Sequence, residues 1–160
     1  MERVNKIIDN NEYRRIVGEI EALEADRIFC HHDMNHFLDV ARIASILCVE
    51  EGINIDKECI YAAAILHDIG RAKQYTEGIE HEEAGIPIAK TILKNCGFSA
   101  KESDLILEAI REHGNEKVKT RKDLVGVLYR ADKLSRKCFC CKAVSKCHKP
   151  DEKRNMGVVY

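Results

Sequence analysis

Hydrophobic residues recur along most of the chain at intervals of three and four positions, the spacing that places side chains on one face of an α-helix. Alternating hydrophobic and polar residues, which indicate β-strands, are almost absent. The predicted helices start near Asn10 or Asn11, ahead of His36, at Asp56, near Glu82, at Ser99 and near Thr120. The pattern therefore predicts an all-α protein, a compact bundle of about six helices.

Two of the predicted helices contain residues that constrain where they begin. Thr120 with Asp123 is expected to start the sixth helix, because short polar side chains accept hydrogen bonds from the first N–H groups of a helix. Pro87 falls inside the fourth predicted helix, 82–96. Since proline has no N–H to donate, we expect it in the first turn of that helix or at a kink.

Composition indicates one compact domain. The chain has 160 residues, of which 45% are hydrophobic, enough for a sizeable core. Its 26 basic side chains nearly cancel its 27 acidic ones, so the net charge of −1 gives no support for a membrane or long nucleic-acid partner. No apolar run approaches a transmembrane length, and the first eleven residues are too polar for a secretory signal. We therefore expect a cytoplasmic protein.

Histidine and aspartate residues fall where the predicted helices end or face inward. His67 and Asp68 close the third helix, and His113 ends the fifth. His36 lies on the apolar side of the second helix, and Asp132 lies beside the buried face of the sixth. A carboxylate beside a hydrophobic core is costly unless it is paired or bound to a cation. Together these groups could converge on one metal, and imidazole with carboxylate suits zinc, manganese, iron, cobalt or nickel.

Three segments of the chain carry a resemblance to a known family. Residues 32–42 read His-Asp-Met-Asn-His-Phe-Leu-Asp-Val-Ala-Arg, residues 62–71 read Ala-Ala-Ala-Ile-Leu-His-Asp-Ile-Gly-Arg, and residues 131–134 read Ala-Asp-Lys-Leu. In composition, order and spacing they resemble the motifs of the HD-domain superfamily of metal-dependent phosphohydrolases. The resemblance implies an HD-domain helical bundle over 1–136, with its core at 32–136, and a cysteine-rich tail, 137–160, packed on the same domain.

The resemblance also implies a metal centre that holds one or two divalent transition metal ions (Mn, Fe, Co, Ni or Zn). The implied ligands are His36, His67, Asp68 and Asp132. The neighbouring pair His32 and Asp33 is assigned a supporting role, either behind a ligand or at the start of the helix. Some HD proteins have two further histidines, and His81 and His113 stand at the matching places. Three roles stay open for these two: ligands of a second metal, contacts to the scissile phosphate or proton donors to the leaving group, and surface helix caps.

Hydrolysis by a metal-activated water is the implied mechanism, with Asp68 holding the water and accepting its proton. Cations that could neutralise the phosphate are Arg71, Lys73 and Lys133, although each is equally consistent with an ordinary solvated charge. Aromatic candidates for stacking on a base are Phe37, Tyr61, Tyr75 and Tyr129, although amphipathic helices commonly bury such residues.

Eight cysteines are many for a protein in a reducing compartment, where free thiols or metal ligands are more common than disulfides. The tail offers a candidate structural zinc site through Cys138, Cys141, Cys147 and His148. Alternatives are reduced cysteines packed as small hydrophobic residues, an iron–sulfur centre and a redox switch. The remaining cysteines, Cys30, Cys48, Cys59 and Cys96, are expected to pack in the core.

Three functions follow from these residues. A phosphohydrolase acting on a small phosphorylated molecule or nucleotide is favoured, because hydrolysis is the prevailing activity of HD domains with this ligand set. A di-iron HD-type oxygenase is the first alternative, and it requires His81 and His113 as metal ligands. A non-catalytic ligand-binding module is the second, although a complete ligand set argues against it. The sequence does not determine the substrate, the metal or the oligomeric state.

Overall fold

The computed structural model describes all 160 residues and contains eight α-helices and no β-strand. The helices are α1 (Glu2–Asp9), α2 (Asn11–Leu23), α3 (Met34–Glu50), α4 (Lys57–Leu66), α5 (Arg71–Glu77), α6 (His81–Asn95), α7 (Ala100–Glu112) and α8 (Leu124–Leu134). Short 3₁₀ turns lie at Glu116–Val118, Cys138–Cys140, Val144–Lys146 and Asp151–Lys153. The predicted all-α fold is confirmed. None of the helices combines the length and the apolar character needed to cross a lipid bilayer.

Two short helices were not predicted from the sequence, α1 and α5. Helix α1 buries Val4 and Ile7 against the core. It ends at Asn10, whose extended backbone interrupts the helix and whose side chain accepts hydrogen bonds from the backbone N–H groups of Glu12 and Tyr13 to start α2. Helix α5 has only seven residues, too few for the periodicity of its hydrophobic positions to be recognised.

The structure corrects two details of the predicted helix starts: Thr120 does not cap α8, and of the two places expected for Pro87 the first turn is excluded. Asp123 alone caps α8, because its side chain accepts a hydrogen bond from the N–H of Gly126 while Thr120 lies in the preceding turn. Helix α6 begins at His81, so Pro87 lies inside the helix and past its first turn. Proline cannot donate to the carbonyl four residues earlier, so the helix continues there with one hydrogen bond fewer.

Helix α4 lies at the centre of the bundle and positions the functional site. It packs against α1, α3, α7 and α8, and its residues from Ile60 to Leu66 are almost all buried. A helix that is apolar on all sides must be surrounded by other helices. Its C-terminal end therefore delivers His67 and Asp68 to the middle of the protein, where both side chains are buried.

The tail packs on the domain through hydrogen bonds. The side-chain amide of Asn155 donates to the backbone carbonyls of Lys133, Leu134 and Arg136 at the end of α8. These are carbonyls that a helix end leaves without partners of its own. Within the tail, the N–H of Phe139 donates a hydrogen bond to the backbone carbonyl of Asn155. The tail is thus attached to the helix that carries Asp132.

The buried cysteines outside the tail are Cys48, Cys59 and Cys96, as expected for packing residues. Cys30 is exposed, so the expectation that it packs in the core is wrong. It lies in the loop that connects α2 to α3, where no hydrophobic pattern constrains the chain.

Candidate metal centre

Six titratable side chains from five helices meet at one point in the bundle. They are His36 from α3, His67 and Asp68 from the end of α4, His81 from the start of α6, His113 from the end of α7 and Asp132 from α8. Five of the six are buried, and His36 is half-buried. The structure therefore brings together the four implied ligands and the two further histidines.

The Asp68 carboxylate lies between two pairs of histidines. Its Oδ2 atom is 2.9 Å from His67 Nε2 and 3.6 Å from His36 Nε2. Its Oδ1 atom is 3.3 Å from His81 Nε2 and 3.7 Å from His113 Nε2. Each oxygen thus faces one pair, which is the arrangement of a carboxylate that can bridge two cations.

The first group of ligand atoms combines His36, His67 and Asp68 with Asp132. Asp132 Oδ1 lies 3.5 Å from His36 Nε2 and 3.9 Å from His67 Nε2. His67 Nδ1 donates to the carbonyl of Ala64 over 2.7 Å, which leaves the lone pair on Nε2 directed at the group. Two imidazoles and two carboxylates therefore surround one position, a donor set that suits a divalent transition metal.

The second group consists of Asp68, His81 and His113. His113 Nδ1 donates to the carbonyl of Ile110 over 2.6 Å, so its Nε2 faces His81 Nε2 across 3.1 Å. Two neutral imidazoles in this position can share only one proton, whereas a cation can bind both nitrogens. His81 Nδ1 is buried without a hydrogen-bond partner, although Glu82 Oε2 lies 3.1 Å away. These donors fit a second metal ion.

Electrostatics keep the two carboxylates and His81 in the protonation states that metal binding requires, whereas for His113 the hydrogen bond to Asp68 outweighs burial and raises the pKa. Burial raises the pKa of Asp68, but its histidine neighbours and the charge of Arg71 outweigh it and hold that pKa well below its usual value. The pKa of Asp132 is lowered in the same way, with Lys133 outweighing burial. Burial lowers the pKa of His81 to about 3. At neutral pH the site therefore presents ionised carboxylates and a neutral His81.

Gly70 allows α6 to approach the His-Asp pair. A Cβ atom at position 70 would collide with the backbone carbonyl of His81 and would lie 2.6 Å from the backbone nitrogen of Gly85. The absence of a side chain therefore lets the first turn of α6 pack directly on the residues after Asp68. This close contact brings His81 within 3.3 Å of Asp68.

Glu24 and His32 form a pair that the sequence analysis did not identify. His32 Nδ1 lies 2.5 Å from Glu24 Oε1, and His32 Nε2 lies 3.9 Å from Asp68 Oδ2. Although burial opposes it, hydrogen bonds from His32 and Tyr75 lower the pKa of Glu24 to about 2. Asp33 has the expected helix-start role, since it accepts a hydrogen bond from the N–H of His36. Glu24 belongs to no sequence motif. Its contact with His32 can be recognised only from its buried position in the folded protein.

The cations considered for phosphate binding do not all reach the centre. Arg71 donates to Asp68 Oδ1 over 2.8 Å, and Lys133 lies 2.5 Å from Asp132 Oδ2. Both line a cavity of about 450 Å³ that opens over the metal centre. Lys73 instead lies near Glu77, at 3.9 Å, and borders a separate depression. The prediction that Lys73 contributes to the same site is wrong, because α5 directs it elsewhere.

The predicted aromatic candidates do not line the cavity, and the aromatic residue that does is Phe29. Phe37 is completely buried, with its ring against that of His67, and Tyr75 donates to Glu24. Tyr61 and Tyr129 pack at the edge of the core. They bury hydrophobic area and contribute no surface to the cavity.

The tail residues Cys138, Cys141, Cys147 and His148 all line this cavity. No three of their ligand atoms lie within 4.8 Å of one another, so the structure does not assemble the predicted zinc site. The hydrogen bonds of Asn155 order the tail instead. The spacing of the cysteines along the sequence could not show whether the tail is ordered by a zinc ion or by hydrogen bonds.

Comparison with known proteins decides the family. The HD domain family matches residues 33–137, about two thirds of the chain. The chain belongs to the HD domain family. Its HD motif is the His67–Asp68 pair, at the point where the two histidine pairs meet.

Three similar proteins illustrate the relationship, and two of them are named as hydrolases. An uncharacterized protein of Clostridium beijerinckii is 41% identical over the full length of both chains. The crystal structure of a predicted HD superfamily hydrolase from an uncultured Thermotogales bacterium superposes with a TM-score of 0.61 at 27% identity, covering 89% of this chain and 81% of that one. Ribonuclease Y 1 of Pediococcus pentosaceus is 28% identical over 65% of this chain, which spans only 18% of that enzyme.

Proposed function

We propose that this protein is a metal-dependent phosphohydrolase with a two-metal centre, acting on a small phosphate ester or nucleotide. The observation that carries the proposal is the position of Asp68, with one carboxylate oxygen facing His36 and His67 and the other facing His81 and His113. The HD family match and the predicted hydrolase among its structural relatives support it. The similarity to ribonuclease Y supports a phosphoester as the bond that is cleaved.

His36, His67, Asp68 and Asp132 would hold the first metal ion, and Asp68, His81 and His113 the second. Metal ions held by these residues would supply a water of lowered pKa and polarisation of a phosphoryl oxygen. The charge of Arg71 and the histidines around it keep Asp68 ionised despite its burial. We therefore assign Asp68 to holding the ions and orienting the attacking water, and not to storing a proton.

The Glu24–His32 pair is assigned to proton transfer. The Glu24 carboxylate accepts a hydrogen bond from Nδ1 and fixes the ring of His32, and His32 also lines the cavity. His32 Nε2 can then give its proton to the leaving-group oxygen. Lys133 and Arg71, beside the two aspartates, neutralise charge on the phosphoryl oxygens.

The proposal is tested by measuring metal content and turnover together. Protein purified without chelator or affinity metal is analysed for elements, and hydrolysis of bis(p-nitrophenyl) phosphate is followed with added Mn²⁺. We expect two equivalents of transition metal in the wild type. Asp68→Asn should lose both ions and about three orders of magnitude in rate, since the metal supplies several kcal/mol of transition-state stabilisation.

The matched control is Asp104→Asn, which removes an exposed carboxylate in the first half of α7, whereas His113 follows the last residue of that helix. It should keep both metal content and rate. A wild type that binds metal but hydrolyses no phosphoester would contradict the proposal. So would an Asp68→Asn variant that keeps its ions and its rate.

The di-iron oxygenase is the second candidate, because it needs the same two histidine pairs around one carboxylate. The two candidates differ in their metal requirement. An oxygenase would be active only with iron and would show an iron-dependent visible absorption band, whereas the proposed hydrolase works with redox-inactive ions and shows no such band.

A further inference from the structure

The cavity extends beyond the metal centre along the C-terminal segment. Arg136, Lys149 and Arg154 line this part of it, and Arg27 lines it from the loop that precedes α3. Lys149 and Arg154 lie beyond residue 137, where the HD family match ends. The wall that faces the metal centre is therefore built by a part of this chain that the family motifs do not describe.

Two of these cations, Lys149 and Arg136, have little or no charge compensation from the protein. Lys149 is half-buried, has no carboxylate within 4.0 Å and donates no hydrogen bond. The side chain of Arg136 is only 14% exposed, and its nearest acid is Asp132, at 3.9 Å. That oxygen of Asp132 already lies 2.5 Å from Lys133. Lys149 therefore faces the cavity without an acidic partner, and Arg136 shares its one distant carboxylate with Lys133.

Arg154 adds a third group with unused donor capacity. One of its terminal nitrogens donates to the carbonyl of Cys147 over 2.6 Å, and the other lies 3.0 Å from Asp151. These two contacts fix the guanidinium in place. Its Nε atom is buried without a hydrogen-bond partner. A fixed guanidinium beside a cavity is already arranged to bind an oxyanion.

The repulsion within the cluster is visible in the electrostatics of Lys149. Burial and the positive charge of Arg136 both lower the pKa of its ammonium group. Like charges in a half-buried cavity are costly, and a bound anion removes that cost. The metal centre would hold one phosphate group. The cation cluster beside it is suited to binding a second phosphate group.

We propose that Arg136, Lys149 and Arg154 form a second phosphate subsite, so that the substrate is a small molecule with at least two phosphate groups. A nucleoside bisphosphate or diphosphate has this chemistry. The metal centre holds the phosphate that is cleaved, and the tail subsite binds the other. The inference rests on the proposed function for the role of the metal centre, whereas the subsite itself rests on the cation cluster.

Binding is measured by calorimetry on the metal-loaded protein with orthophosphate, pyrophosphate and tripolyphosphate as probes. We expect affinity to rise by at least about tenfold from orthophosphate to the longer anions, because a charge-assisted hydrogen bond contributes roughly that factor. Lys149→Gln should lose most of this rise, and Lys149→Arg should retain most of it. The control Lys142→Gln removes an exposed tail cation that does not line the cavity, and it should behave as the wild type.

Equal affinities for all three anions in the wild type would overturn the subsite, and so would an undiminished rise in Lys149→Gln. Thermal unfolding of each variant shows whether it is folded. If Lys149→Gln does not fold, the comparison of Lys149→Arg with the wild type still tests the subsite. Hydrolysis of bis(p-nitrophenyl) phosphate is measured in parallel. If the wild type prefers the longer anions through Lys149 but hydrolyses nothing, the subsite stands and the hydrolase proposal fails. If it hydrolyses the ester without that preference, only the subsite fails.

Discussion

Replacing Gly70 by alanine should remove one metal ion from the centre while leaving the other. The added Cβ would lie 2.6 Å from the nitrogen of Gly85 and still closer to the carbonyl oxygen of His81, whereas ordinary contact begins near 3.4 Å, so the backbones must separate by at least about 0.8 Å. The colliding atoms belong to the backbone, which cannot rotate away as a side chain would. Separation moves His81 away from Asp68, and a displacement near 1 Å is enough to impair a site of this kind.

Overpacking of this kind lowers the free energy of unfolding by about 1–3 kcal/mol. In a protein of this size 1 kcal/mol changes Tm by about 2–4 °C, so we expect a decrease of about 2–12 °C. Elemental analysis should find about one equivalent of metal in Gly70→Ala against two in the wild type, because His36 and His67 are held by other helices.

Gly18→Ala is the matched control for this substitution. Gly18 is exposed within α2, and a Cβ there would meet nothing within 4 Å. Alanine is a better helix former than glycine, so this variant should be more stable by about 0.5–1 kcal/mol and keep both ions. A Gly70→Ala variant with two equivalents of metal and an unchanged Tm would refute the argument that a close backbone contact positions the second histidine pair.

Three further outcomes are expected. Glu24→Gln should decrease kcat by about 10–100-fold at unchanged metal content, because His32 loses the carboxylate that orients it; loss of the metal instead would show that the pair supports the ligands. Ile65→Ala, in the buried centre of α4, should destabilise the protein by about 2–5 kcal/mol in chemical denaturation, whereas Val49→Ala, at an exposed position, should have little effect. Arg3 lowers the pKa of Glu58 and of Glu102 to about 2. Their stabilising contribution is therefore present above about pH 4.5 and is lost as the pH falls toward 2, and Arg3→Met should decrease Tm at pH 7 and flatten its fall between pH 4.5 and 2.

The helices and the main ligands were predictable because local spacing encodes them. Buried faces repeat every three or four residues, and His67 and Asp68 are neighbours at the end of an apolar run. Their convergence with His36 and Asp132 could be inferred only through the resemblance to HD domains. Spacing along the chain does not by itself determine which helix ends meet.

The features that were missed depend on distant contacts or on short segments. Glu24 and His32 are eight residues apart and pair because the α2–α3 loop folds back on the centre. Helix α5 is too short to show periodicity, and its direction takes Lys73 away from the site. The tail cysteines have the spacing of a zinc site, yet the hydrogen bonds of Asn155 fix the tail in a position where they do not converge.

The attachment of the tail by Asn155 has a consequence for how proteins of this kind can diversify. The ions are held by helices inside the HD bundle, whereas one wall of the cavity comes from a separate stretch of chain that follows α8. Mutations can accumulate in that stretch without disturbing the metal ligands, provided that the residue corresponding to Asn155 still binds the end of α8. A hybrid that joins this bundle to the tail of the Clostridium beijerinckii relative should therefore keep its metal content and change only its choice of substrate.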